Sequence, residues 1–276
     1  MGDATHDRKI APTAHYTAYV WHRLGFEHAE LFVTPLGRAM FWSFRFAGEG
    51  LLTWAPFAPS MTQYLTYRHR AYETLVERER PDVVVELGAG LSRRGVTWAA
   101  RGTRYVEIDL PHMVRAKQRM LLRADRALRE AIAGRLEHVS LDLFDASFED
   151  ELSRLIGDAE RPVVITEGVL TYFTQPLRDQ LARAVHAALD GRGLFAGELR
   201  VRQPPGPGAS ALKALRGGIR LVTGGRGAGD DPESHDAVRR SFLDAGFASV
   251  EPVDPASLPG VADTHYPARV WVCRPD

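Results

Sequence analysis

Apolar residues recur along this chain with two different periods, and the change comes near residue 80. Before it the spacing is mostly helical, and aromatic side chains are dense. From Pro81 onward, short β-branched runs alternate with helical stretches. The runs DVVVEL (82–87), TRYVEI (103–108), LEHVSL (136–141), PVVITE (162–167), GLFAGEL (193–199), ASVEPV (248–253) and ARVWVC (268–273) predict seven strands. Helical stretches between most of them predict a parallel sheet with crossover helices. Residues 254–267 leave no room for a helix, so the last two strands should pair antiparallel. The expected fold is α/β: a Rossmann-like, doubly wound sheet of seven strands with the last one antiparallel. Residues 1–80 are expected to form a helical, aromatic-rich cap outside the sheet core, and 81–276 the sheet domain. Residues 200–235 would be an insertion over the active edge, dense in proline and glycine at both ends, and loops of that length usually carry function or are disordered.

Composition narrows the function. Lysine plus arginine and aspartate plus glutamate both number 35, so no basic field exists to attract nucleic acid. The single cysteine, Cys273, excludes a disulfide framework and a cysteine zinc site, and no His/Cys cluster has metal-ligand spacing. MGDATHDRKI lacks the apolar stretch of a signal peptide, and His6 breaks a myristoylation pattern. Residues 41–59 are the most apolar segment, but Arg45, Glu49, two glycines and two prolines interrupt it, so no membrane span is expected. The expected setting is cytoplasmic, with a small molecule as partner and the oligomeric state open between monomer and homodimer.

The candidate chemistry centres on VVVELGAGLSRRG, residues 83–95. A strand, then Gly88-Ala89-Gly90, then a helix is a nucleotide-site layout, although a plain tight turn reads the same way. Arg93 occupies the position where a dinucleotide fingerprint has its third glycine, and Ser92-Arg93-Arg94-Gly95 does not complete a P-loop. Glu86, two residues before the first glycine, would repel a pyrophosphate and suit an ammonium or sulfonium. Asp109, 21 positions after Gly88 at the end of the second strand, is placed for a ribose hydroxyl pair or for a helix N-cap before Pro111. Asp142 ends the third strand, where it could accept from an adenine amine or cap a helix, and Glu167 stands at the edge of the fourth. Ribose plus positive charge without phosphate describes S-adenosylmethionine. Arg93 and Arg94 are expected at the surface.

Four segments, VVELGAGLSRRG, YVEIDLPHM, ITEGVLTYF and PTAHYTAYVW, together resemble the leucine carboxyl methyltransferase family, in its bacterial branch of polyketide-pathway O-methyltransferases. The resemblance runs from about residue 12 to 250. It implies a class I S-adenosylmethionine-dependent methyltransferase fold. RHRAYETL (68–75) is similar to the family's Arg-Thr-Arg-Phe-Ile-Asp helix, which would make Arg68 the grip on the methionine carboxylate. The resemblance further implies Gly88, Ala89 and Gly90 along the methionine portion, Asp109 on the ribose, Asp142 with Leu143 on the adenine, and Glu167 near the amino group. His69 and Glu73 stand where the family has threonine and aspartate, and the basic residue near the N-terminus of the protein-methylating branch has no match.

The acceptor is open. A carboxylate needs no general base, whereas a phenol or alcohol usually does, and His15, His22 and His265 are the histidines to consider, His15 and His265 foremost. Tyr16, Tyr19 and Tyr172 could orient an acceptor, and Arg200 and Arg202 could hold a substrate carboxylate, or all of these could be packing and solvated residues. The expected activity is O-methylation of a small natural-product or polyketide-like carboxylate, with hydroxyl methylation as the alternative. Two rival classes remain: an NAD(P)-dependent oxidoreductase whose phosphate meets Arg93 and Arg94, and a methyltransferase-like module that binds without catalysis.

Overall fold

The structure is a computed structural model describing residues 11–44, 61–202, 231–261, 266 and 268–276. Seven strands form one sheet in the order β3-β2-β1-β4-β5-β7-β6. They are β1 (Val83–Leu87), β2 (Arg104–Asp109), β3 (Leu136–Ser140), β4 (Pro162–Thr166), β5 (Leu194–Arg200), β6 (Ser249–Pro252) and β7 (Ala268–Arg274). Neighbours from β3 to β5 pair parallel, and β7 runs antiparallel to both β5 and β6. This is the doubly wound sheet expected from the alternation, with its one reversed strand where residues 254–267 left no room for a crossover helix.

The described helices are α1 (Ala11–Arg23), α2 (Pro35–Phe44), α3 (Met61–Glu79), α4 (Arg94–Ala100), α5 (Pro111–Leu121), α6 (Arg126–Ile132), α7 (Phe148–Ile156), α8 (Gln175–Leu189) and α9 (His235–Asp244). β1 and β4 are buried along their whole length, which is why their sequences are nearly continuous apolar runs. Alternate strand residues feed two cores. Val84, Tyr105, Val163, Ile165, Leu194 and Ala196 pack with α3, α4 and α5 on one face. Val85, Val106, Ile108, Val164 and Phe195 pack with α7, α8 and α9 on the other.

One expectation fails here. Helix α3 belongs to the sheet core, not to a cap outside it: Tyr67, Ala71, Tyr72, Leu75 and Val76 share a buried cluster with Val84 and Val163. Tyr67 and Tyr72 bury their rings and spend their hydroxyls on backbone groups of the strands and the loops that follow them. Tyr72 donates to the Thr166 carbonyl at 2.7 Å, and Tyr67 bridges the Val253 carbonyl and the Val270 N–H, both at 3.1 Å. Helices α1 and α2 pack on each other, with Tyr19, Val20 and Phe41 forming a separate small cluster with Leu65. Residues 45–60 and 203–230 lie outside the described residues, and with them most of the apolar 41–59 segment and of the 200–235 insertion. Among the described residues no helix is long and apolar enough to cross a membrane.

Candidate active site

The strand rows facing α3 and α4 begin apolar and end charged. Val84 is followed on that face by Glu86, Tyr105 by Glu107 and Asp109, Ile165 by Glu167, and Ala196 by Glu198. At this carboxyl edge lies a cavity of about 820 Å³, lined among others by Glu86, Gly88, Ala89, Gly90, Asp109, Asp142, Leu143 and Glu167. Parallel α/β sheets present ligand sites at this edge, where helices leave in opposite directions.

The glycine turn is drawn tight by backbone and carboxylate together. Gly88 and Gly90 have φ of 66° and 53°, a region that disfavours side chains. A Cβ on Gly88 would stand 2.6 Å from Val169 Cγ2, and one on Gly90 would stand 3.3 Å from the Ala14 Cβ of α1. Gly88 N–H donates to the Ile108 carbonyl at 2.7 Å. Asp109 accepts from the Gly90 N–H at 2.6 Å and from the Leu110 N–H at 2.7 Å. The N-cap of α5 is Leu110, so the capping role considered for Asp109 is replaced by this cross-link between turn and strand end. Burial raises its carboxyl above the ordinary value, against the pull of the two N–H groups. Asp142 likewise caps no helix; its side chain accepts from the Phe144 N–H at 3.0 Å and shapes the turn after β3.

Arg93 and Arg94 are not at the surface. Arg94 is fully buried, and Arg93 is 5% exposed. Arg94 donates to Glu86 at 2.6 Å and to Glu167, and lies 3.3 Å from Glu73. Arg93 pairs with Glu73 at 3.1 Å and meets the His69 ring nitrogen at 2.7 Å. Burial and four surrounding arginines push His69 well below its ordinary pKa, so it is neutral. A charged pair opening a helix usually faces solvent; here three buried acids from separate elements, Glu73, Glu86 and Glu167, draw both arginines in. The same contacts change the reading of Glu86. Its two oxygens meet Arg94 and the Tyr105 hydroxyl, so its charge is matched by the protein.

Arg68 lines the cavity with its guanidinium 5.8 Å from the Tyr64 ring centroid. Its Nε donates to Glu167 at 2.8 Å, and its Nη1 lies 3.4 Å from Glu198. Burial pushes Glu167 up, but Arg94 and Arg68 more than offset it and leave the carboxyl below its ordinary value. Tyr16 and Tyr172 line the cavity, and Tyr172 donates to the Thr13 hydroxyl at 3.0 Å. Tyr19 is turned into the α1–α2 cluster, and His15 lies 3.1 Å from the Thr34 hydroxyl; neither is among the lining residues. Arg200 pairs with Asp231 at 3.3 Å and the exposed Arg202 with Glu233 at 3.5 Å. His265 lies outside the described residues. The strand-end acids did not disclose their apolar neighbours Leu110, Met113, Leu141 and Phe144, which complete the wall beside Asp109 and Asp142. Their only sequence signal is adjacency to those acids. No group of histidine, cysteine and acidic residues among the described residues could hold a metal ion.

Sheet order, reversed last strand and strand-end site together define a class I methyltransferase fold. The chain belongs to the leucine carboxyl methyltransferase family, whose model matches residues 27–186. A candidate methyltransferase from Thermobifida fusca YX superposes with a TM-score of 0.59 at 16% identity, covering 99% of this chain and 98% of that one. A DUF574 family protein from Streptomyces avermitilis gives 0.58 at 15% identity, covering 98% and 100%. The chain spans only 51% of PigF, solved with SAH, at 14% identity, a TM-score of 0.48 and 71% coverage of this chain. No curated protein matches the sequence. S-adenosylmethionine is the cofactor that family membership carries. The site fits it: a glycine cradle that a Cβ would fill, carboxylates at two adjacent strand ends, and a volume within the ~300–1,000 Å³ of small-molecule pockets.

Proposed function

We propose that this chain is an S-adenosylmethionine-dependent O-methyltransferase whose acceptor is a small, natural-product-like carboxylate. The observation that carries the reading is one cavity holding the glycine turn, Asp109, Asp142, Glu167 and Arg68 at its polar edge, and apolar and aromatic side chains elsewhere. Asp109 would take the ribose hydroxyls on the lone pairs its two backbone donors leave free. Asp142 with Leu143 would meet the adenine, Arg68 the methionine carboxylate, and Glu167 the amino group. When bound, the cofactor supplies an activated methyl group, which an acceptor oxygen takes in line as the sulfonium leaves as a thioether. The protein's part is then alignment and exclusion of water. Helices α1 and α2 supply Thr13, Tyr16, Thr17 and Met40 to the cavity, which supports reading these two helices as its cap. A carboxylate acceptor is already ionised and asks for no base. No histidine is among the described lining residues.

One observation favours a second reading, a hydroxyl acceptor: among the described residues four carboxylates line the cavity, and Arg68 with Arg94 behind the wall pairs only Glu86 and Glu167, a field that suits a neutral molecule better than an anion. Two measurements test both. Calorimetry in chelator should show S-adenosylmethionine binding, weakened roughly 10- to 100-fold in Asp109→Ala. Tight NAD(H) binding in its place would overturn the assignment. The methylated product of a carboxylate is an ester and is cleaved by mild alkali; an alkali-stable product selects the hydroxyl.

A further inference from the structure

We propose that Arg94 is a positioning residue for cofactor binding: from outside the cavity, its one guanidinium holds Glu86 and Glu167, two carboxylates of the wall, in place. The inference rests on the reading that this cavity takes S-adenosylmethionine. Arg94 is fully buried at the first turn of α4 and is not itself a lining residue. Its nitrogens fan out to three acids from three elements: Nη1 to Glu86 of β1 at 2.6 Å, Nη2 to Glu167 beyond β4, and Nε to Glu73 of α3 at 3.3 Å. The Tyr72 ring lies against its guanidinium, 5.3 Å to the centroid.

Each wall carboxylate is gripped at both oxygens. Glu167 has Arg94 on one and Arg68 on the other; Glu86 has Arg94 on one and the Tyr105 hydroxyl on the other. The remaining groups facing Glu167 supply no replacement charge. His69 is neutral, Tyr72 holds its proton well above the ordinary phenol range, and Glu86 is itself an acid. Removing Arg94 would therefore leave Glu86 with no paired cation beyond the more distant pull of Lys117, and Glu167 with Arg68 alone. Buried carboxylates without their counter-charge take up protons. A protonated Glu167 cannot attract an ammonium, and Arg68 would lose its fixed orientation. Lysine at position 94 would restore charge but could not meet three acids at once, because the ammonium lacks the planar fork.

The test uses the full chain as wild type, Arg94→Met and Arg94→Lys, with S-adenosylmethionine as the titrated ligand from pH 5.5 to 8.5 and a thermal melt of each. Wild-type affinity should be flat from pH 5.5 to about 7, below the value of about 8 to which burial raises Glu198 beside Arg68. Arg94→Met should bind roughly 10- to 100-fold more weakly at the acid end and recover as pH rises, and Arg94→Lys should show the same slope with smaller amplitude. A role confined to stability would lower the melting temperature and leave the affinity profile flat. Should Arg94→Met fail to fold, Arg94→Lys decides alone. A folded variant with wild-type affinity at every pH overturns the inference, while a wild-type chain that binds no S-adenosylmethionine overturns the underlying reading with it.

Discussion

Glu198 illustrates how much of this site is decided by single buried groups. It sits on β5, 1% exposed, with Arg68 Nη1 3.4 Å away. Burial pushes its carboxyl up to about 8, against the pull of Arg200 and the Gly168 N–H. The unfolded chain releases this proton near the ordinary value of 4.5, so the folded state holds more protons between the two. The stability it contributes is complete below the lower value and is lost as pH rises through the upper one. Denaturant titrations of wild type and Glu198→Gln should diverge across that window, wild type falling by up to about 1.4 kcal/mol more per pH unit. Parallel curves would show that Glu198 is ionised in the fold.

At the scale of elements, the link between cap and cofactor turn runs through α1. Its Ala14 packs on Gly90, its Thr13 accepts from Tyr172, and at the neighbouring His15 it crosses α2 at Gly37, where an added Cβ would run into the His15 carbonyl. Thr34 fixes the same crossing, accepting from the Gly37 N–H at 3.1 Å and lying 3.1 Å from His15. Gly37→Ala should force the helices apart and cost about 1–3 kcal/mol. Because α1 covers the glycine turn, cofactor affinity should fall along with the melting temperature. An unchanged affinity in a destabilised Gly37→Ala protein would show that α1 and the turn are uncoupled.

At the scale of the whole molecule, strand-end carboxylates and residues of α1 and α2 line one cavity, and in the proposed O-methyl transfer the acceptor's own ionisation would set the pH response. For a carboxylate, with an intrinsic pKa of ~4, transfer rates should be nearly flat from about pH 6 to 9. A rate that climbs through this range would point to a hydroxyl losing its proton. Initial rates at saturating cofactor separate the two, since saturation removes any pH effect on cofactor binding.

The sequence by itself determined the sheet. All seven runs became strands and the last is reversed, because alternation and connection length are local properties that admit few topologies. It also marked residues of the cavity's polar edge, since Gly88, Gly90, Asp109, Asp142 and Glu167 lie at strand ends or in the turns just after them. What only the tertiary structure decided is where charge goes once elements meet. Arg93 and Arg94 read as solvated, yet acids from α3, β1 and β4's end pull them inside. Arg200 and Arg202 read as solvated or as holding a substrate carboxylate, yet each has an acid from residues 231–233 beside it. Tyr19 read as a residue that could orient an acceptor and α3 as cap, and packing turned one into the α1–α2 cluster and laid the other on the sheet. The physical reason is common to these cases: a charged or aromatic side chain takes its place from partners distant in sequence, and strand periodicity carries no record of them.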